Sequence, residues 1–270
     1  MPLPRSPRAV ITGAGGGFGR ALAIELAKRN AHLVVSDINE SAARETAELV
    51  RAGGAGSARA VRCDVTRLDD VQALASTCDG AVDLVVNNAG VSTGGLVGDI
   101  PIDDWRWTLD VDLMGVIHGC HVFVPILRKQ GHGHILNVAS AAGLLSPPQM
   151  AAYNVAKAGV VALSETLAGE FFGTKLGVTA LCPTFFKTNI VNSGRFTDPS
   201  IRAEAVSLVD HGGDAADVAR AALASVDRNV LHSVPMADGR WFWRLKRVAP
   251  ALFPQLVARF GTRRFRSTAR

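Results

Sequence analysis

The chain has 270 residues, 48% of them hydrophobic, enough for the core of one large α/β domain or two small ones. No unbroken apolar run approaches the roughly 18 residues of a membrane span, and the opening MPLPRSPR lacks the apolar centre of a signal peptide, so a cytoplasmic protein with a short disordered leader over residues 1–7 is expected. The net charge of +5 is uneven: every acidic residue lies at or before Asp238, and nine of the 29 basic ones follow it. No recognition motif accompanies that basic tail, so nucleic acid is not expected as a partner. Cys63, Cys78, Cys120 and Cys182 show no CxxC spacing. Four buried thiols in a reducing compartment are expected, with neither a disulfide framework nor a zinc site.

In chain order, short apolar runs alternate with helical patterns. RAVIT leads to a helix from about Gly17 to Arg29, AHLVVSD to one around Glu40 to Ala52, and SARAVRCDV to a short one near Asp69 to Ser76. VDLVVNNAG is followed by a long helical stretch from Trp105 to Lys129, HILNVAS by a helix from Ala151 to Phe172, and VTALCPT closes the series. Strands this apolar are buried on both faces, and their alternation with helices implies parallel pairing through right-handed crossovers. The expected fold is α/β: a single-domain Rossmann fold over residues 8–238, a doubly wound parallel sheet with helices on both faces. Residues 239–270 read as a basic, partly amphipathic C-terminal extension.

Between the first strand and the first helix lies TGAGGGFG, Thr12 to Gly19. Gly13, Gly17 and Gly19 permit a tight turn and close approach of a pyrophosphate to a helix N-terminus, where free N–H groups and the helix dipole favour anions. Asp37 ends the second strand, near the place of an acid that binds the adenosine ribose. Its carboxylate repels a 2′-phosphate, and neither Ile38 nor Asn39 offsets it, so NAD is preferred over NADP. Asp64-Val65 and Asn87-Asn88-Ala89-Gly90 end the third and fourth strands, where open α/β sheets bind ligands.

Tyr153 is the only tyrosine in the chain, and Lys157 follows it at i, i+4, one turn along the same helical face. A neighbouring cation favours the phenolate and makes a phenol a usable acid or base nearer neutrality. Ser140, the last residue of HILNVAS, reaches the same point if that strand ends beside the helix. His118 and His121 are spaced i, i+3 with no third ligand nearby, which suits packing better than a metal site.

TGAGGGFG, Asp64-Val65, NNAG, Ser140 and Tyr153-Asn154-Val155-Ala156-Lys157, in this order, resemble the short-chain dehydrogenase/reductase family over roughly residues 8–190. The resemblance implies that Gly13, Gly17, Phe18, Gly19, Asp37, Asp64, Val65, Asn88, Ala89 and Gly90 bind the cofactor, with Asp64 and Val65 at the adenine. It makes Tyr153 the acid/base and Ser140 the group that polarises the substrate oxygen. Lys157 then binds the nicotinamide ribose and lowers the Tyr153 pKa, and Thr188 holds the carboxamide. Two positions depart from the family. Asp112, in DVDLMG, stands where an asparagine usually anchors a water of the proton path, bringing a charge that can pair with Lys157. Thr184 replaces the glycine of a Pro-Gly pair, which bears on the backbone path to Thr188.

Together these readings imply NAD-linked hydride transfer with an apolar alcohol or carbonyl compound. Leu144, Leu145, Met150, Phe185 and Phe186 are the expected apolar pocket residues, though core packing accounts for them equally well. The alternative is a catalytically weak NAD-binding regulatory or scaffold protein. The long helices imply a homodimer or homotetramer, as in relatives. In the tail, Leu245, Val248, Leu252, Leu256 and Phe260 form an apolar stripe flanked by Arg244, Arg247 and Arg259, interrupted at Pro250 and Pro254. It suits peripheral membrane contact, a lid or a subunit contact.

Overall fold

The computed structural model describes residues 2–78 and 80–257. The first half runs β1 (Arg8–Ile11), α1 (Gly17–Ala27), β2 (His32–Asp37), α2 (Glu40–Ala52), β3 (Ser57–Arg62), α3 (Leu68–Ser76) and β4 (Leu84–Asn87), as the alternation predicts. After a two-residue β5 (Thr93–Gly94) come α4 (Ile102–Leu109), a π-helical turn (Asp110–Met114) and α5 (Gly115–Gln130). Then follow β6 (Gly133–Val138), α6 (Ala141–Leu145), α7 (Ala151–Glu170), β7 (Leu176–Leu181), β8 (Arg195–Phe196), α8 (Pro199–Asp210), α9 (Ala215–Asp227), β9 (His232–Ser233) and α10 (Ala237–Val248).

Seven parallel strands form one sheet in the order β3-β2-β1-β4-β6-β7-β9. The chain winds outward from β1 to β3, then returns to place β4 on the other side of β1, opening a crevice at the C-terminal ends of these two strands. Alternate side chains feed two cores. Ile11, Leu33, Leu84 and Val86 pack with Leu22 and Leu26 of α1 and Leu223 of α9; Val10, Val85 and Ile135 pack with Leu74 of α3, Phe123 and Leu127 of α5 and Val160 of α7. Each such side chain contributes about 1.5–3 kcal/mol on burial, so helices are held on both faces.

One expectation needs correction. The stretch from Trp105 to Lys129 is not one regular helix: the Gly115 N–H reaches back to the Asp110 carbonyl across a widened turn. Such π-turns are often found at functional sites, and this one carries Asp112. Residues of the expected leader are tied down, with the Leu3 N–H donating to Asp227 Oδ1 and the Pro7 carbonyl accepting from the His32 N–H. The boundary at 238/239 falls inside α10, where Gly239 packs so closely on Thr184 that a Cβ would lie 2.8 Å from Thr184 Cγ2. The 29-residue stretch Ile102–Gln130 contains a window of mean hydropathy 1.4, long and apolar enough by composition to cross a membrane. Here its inner face packs on the sheet.

Candidate active site

The crevice between β1 and β4 is stitched by polar groups from both strands. Thr12 Oγ1 accepts from the N–H groups of Asn88 (3.0 Å) and Ala89 (3.1 Å), and Asn88 Nδ2 donates to the carbonyls of Thr12 (2.8 Å) and Gly13 (3.0 Å). Gly13 has φ +62°, and a Cβ there would meet Ala89 Cα at 2.6 Å. Only glycine lets the loop cross so close to the end of β4. Gly17, at φ +51°, faces Thr188, whose Oγ1 lies 3.1 Å from where a Cβ would stand.

The N-terminus of α1 has no side-chain cap, and its first turn has no acidic residue. Its free N–H groups and the open space around Gly16 fit a dinucleotide pyrophosphate. Beside them Asp37 Oδ2 accepts from the Gly15 N–H at 2.9 Å and Oδ1 from the Asn39 N–H at 2.9 Å, so the carboxylate is anchored to the loop. Each oxygen keeps a second lone-pair direction for a ribose hydroxyl. Asp64 Oδ1 is engaged by the N–H and hydroxyl of Thr66, and the Val65 carbonyl meets His118 Nδ1 at 2.9 Å. His118 is thus an anchor of α5. The Phe18 side chain points into the core, edge-on to Phe186 with ring centroids 5.5 Å apart, leaving its backbone as the part that faces the crevice.

The residues expected to form a proton relay come together where β6 ends. Lys157 Nζ donates to the Val138 carbonyl, the last of β6, at 3.0 Å, and lies 5.5 Å from the centroid of the Tyr153 ring. Ser140 caps α6, its Oγ accepting from the Ala142 N–H, and its hydroxyl is close enough to the Tyr153 phenol to favour the phenolate. Asp112 Oδ2 faces Lys157 Nζ at 3.4 Å, and Oδ1 accepts from the Val91 N–H at 2.7 Å. Asp112 is 0% exposed, Lys157 2% and Tyr153 9%.

Burial is the largest single influence on the ionisation of all three. It is the largest influence on Tyr153 and pushes the phenol up; Lys157 and Ser140 pull it down, while Asp112 pushes with burial, and the net direction is upward. Lys157 thus pulls the phenol down as expected, but burial, with Asp112 added, outweighs that pull. Burial also pushes the Asp112 carboxyl up, against the pull of Lys157 and the Val91 N–H. For Lys157 burial works against the ammonium, but Asp112 and Tyr153 outweigh it and the pKa rises.

Residues 7–198 match the family model described as short chain dehydrogenase. The chain belongs to the short-chain dehydrogenase family. Among its oxidoreductases, the chain is similar to a solved structure from Burkholderia phymatum, described as a short-chain dehydrogenase/reductase in complex with NAD. The two share 36% identity over 92% of this chain and 95% of that one, with a TM-score of 0.84. It is also 36% identical to the probable oxidoreductase EphD of Mycobacterium tuberculosis, over 73% of this chain but only 34% of EphD, so it spans about a third of that relative's length. The putative oxidoreductase SadH of the same organism is 36% identical over 70% of each chain.

Several contributors to this short-chain dehydrogenase site have no loud signal in the sequence. Gly143 lets α6 settle on α7: a Cβ there would meet the Lys157 carbonyl oxygen at 2.5 Å, so any side chain would push Ser140 away from Tyr153. The Thr12 hydroxyl and the Val138 carbonyl are equally silent, since neither a strand-end threonine nor a main-chain oxygen stands out in a pattern.

The expected pocket residues divide. Leu144 and Leu145 pack into the core and Phe186 stacks on Phe18, so these three are largely spent on the fold. Phe185, at 41% exposure, does line a cleft of about 450 Å³, with Thr184, Leu208, His211, Met236 and Asp238. A second cleft of about 320 Å³ joins Gly17 and Thr188 to Val206 and Val209 of α8. Of the four thiols, Cys78 is only half-buried. In the tail, Trp243 tilts against His232 and Lys246 Nζ donates to the Leu144 carbonyl at 2.7 Å, fastening α10 to α6. Leu245 and Leu256 are half-buried while Val248 is 85% exposed and Leu252 is also exposed; Arg259 and Phe260 lie outside the described residues. The helix stops at Val248, two residues before Pro250, as an X-Pro step favours.

Proposed function

We propose that this oxidoreductase transfers hydride between NAD(H) and an apolar alcohol or carbonyl compound, with Tyr153 as general acid/base. The buried cluster of Ser140, Tyr153, Lys157 and Asp112 beside the glycine-rich crevice carries the reading. When bound, NAD supplies the carbon that accepts or returns the hydride. In oxidation the Tyr153 oxygen takes the alcohol proton as the C–H bond breaks and the carbonyl forms; Ser140 holds the same oxygen by a hydrogen bond. Lys157 keeps positive charge beside the phenol, Thr188 would hold the nicotinamide carboxamide, and the loop glycines would hold the pyrophosphate. In reduction Tyr153 returns the proton. The anchored Asp37 supports NAD over NADP, as does the NAD complex of the Burkholderia phymatum relative. In the cleft lined by Thr184, Phe185, Ser207, Leu208, His211, Met236 and Asp238, the apolar part of a substrate would lie against Phe185, Leu208 and Met236, with the polar residues taking its polar groups.

A screen of apolar alcohols and ketones with NAD(H) and NADP(H), read at the nicotinamide absorbance, tests this, with Tyr153→Phe as the control. Turnover that the control abolishes is the expected result. Cofactor binding with no turnover of any compound would favour the regulatory reading instead.

We also infer a cytoplasmic homodimer or homotetramer in peripheral contact with a membrane. The Ile102–Gln130 window is apolar, yet only 39% of it is buried within the chain, which supports a subunit contact over its outer face. Trp241, 60% exposed, stacks edge-on with Phe242, and with Val248 and Leu252 forms an apolar surface on α10 and the turn after it. Nine basic and no acidic residues follow Asp238, which supports an anionic bilayer as the partner of that surface. Co-sedimentation with anionic vesicles should retain the full chain and lose Trp241→Ser/Phe242→Ser; equal recovery of both removes the membrane contact.

A further inference from the structure

Asp112 stands fully buried on the π-turn, where three observations converge. Its Oδ1 is fixed by the Val91 N–H, and its Oδ2 makes no hydrogen bond and faces only the Lys157 ammonium, 3.4 Å away. Gly90 leaves the space in which they meet: a Cβ there would lie 3.3 Å from Asp112 Oδ1 and 3.5 Å from Lys157 Nζ. Lys157 is otherwise tied to the Val138 carbonyl, so its one buried positive charge faces Asp112 on the π-turn side and the Tyr153 ring on its own helix.

We propose that Asp112 is a positioning residue that divides the charge of Lys157 with Tyr153, so that the phenol holds its proton more tightly than it would beside a neutral amide. The groups that face this pair from each packed element are few: Tyr153 and Lys157 from α7, the Val138 carbonyl and Ser140 from the end of β6, the Val91 N–H after β4, and the Cys182 thiol from the end of β7. Cys182 is a neutral thiol at ordinary pH, its ionisation pushed up to about 12 by burial. Asp112 is therefore the only carboxylate among the described groups facing Lys157, and an isosteric amide removes that charge with little change of shape. The consequence is a reaction poised toward higher pH in oxidation, since the proton-accepting phenolate forms later, and a proton donor kept loaded in reduction.

Because Tyr153 is the only tyrosine, the tyrosinate absorbance of the whole chain reports this one phenol and requires neither substrate nor cofactor. Asp112→Asn should lower the tyrosinate midpoint by about one unit or more relative to wild type, and Asp112→Glu should return it toward wild type. Far-ultraviolet circular dichroism at each pH marks where the fold is lost; phenolate that appears in the wild type only on unfolding counts as the higher midpoint. If Asp112→Asn fails to fold, Asp112→Ser is titrated in its place. An unchanged or raised midpoint in the folded variant overturns the proposal, because Lys157 would then not be shared. The significance for catalysis rests on the hydride-transfer reading, but the titration does not: a failed substrate screen would leave the coupling of the three groups standing.

Discussion

Replacing Lys157 by methionine keeps the length of the side chain and removes its charge. Asp112 would then be a fully buried carboxylate with one N–H bond and no counter-ion. Breaking a buried pair from one side costs roughly 3–5 kcal/mol, or a melting temperature lower by roughly 6–20 °C in a chain of this size. The penalty belongs to the charged carboxylate, so it has a pH signature. Asp112 already has a folded pKa above its ordinary value, and without Lys157 it rises further. Stability of the variant should be greatest below the unfolded carboxylate pKa, about 4, and fall as pH rises toward the folded one. In the wild type the raised Lys157 works at the other end: its contribution is full below about 10.4 and is lost as pH rises through the folded pKa. Thermal melts followed by circular dichroism at about pH 5 and about pH 8 read the carboxylate's effect in the variant, since the Lys157 contribution of the wild type is unchanged between them. Lys157→Met/Asp112→Asn should recover most of the loss at the higher pH. A single variant as stable as wild type at both pH values, or a double variant no better than the single, would refute the reasoning.

Three further outcomes follow from the same geometry. Gly13→Ala forces a Cβ against Ala89 Cα at a positive φ, a strain of roughly 1–3 kcal/mol, so NAD(H) affinity measured by nucleotide fluorescence should fall about tenfold. An unchanged affinity would mean that the loop does not approach the cofactor. Asp37→Ala removes the carboxylate anchored to Gly15, and the ratio of NADPH to NADH affinity should rise on the order of tenfold; a constant ratio removes Asp37 as the selecting group. Burial pushes the thiols of Cys63, Cys120 and Cys182 up to about 12, so mass spectrometry of the native chain under mild alkylation should find Cys78 labelled first. Early labelling of Cys182 would show that the floor beneath Ser140 opens.

Much of this molecule is written locally. Alternating apolar runs and helical patterns determine the parallel sheet, because a strand buried on both faces has no polar side to offer water. Glycines at Gly13 and Gly17 announce a loop that requires positive φ, and the i, i+4 step from Tyr153 to Lys157 determines that both side chains share one face of α7. These are properties of short segments, and short-range physics suffices to read them. Packing decided the rest. The π-turn interrupts a helical pattern whose periodicity gives no warning, because Asp112 is turned inward to partners, Val91 and Lys157, that are distant in sequence. Gly143 becomes indispensable only when α6 lies on the backbone of α7, and Phe186 leaves the pocket only because Phe18 receives its ring. The sign of the Tyr153 shift was likewise a tertiary matter. A lysine one turn away is visible in the sequence, but the desolvation around the phenol and the carboxylate that shares the lysine exist only once the helices have closed over them.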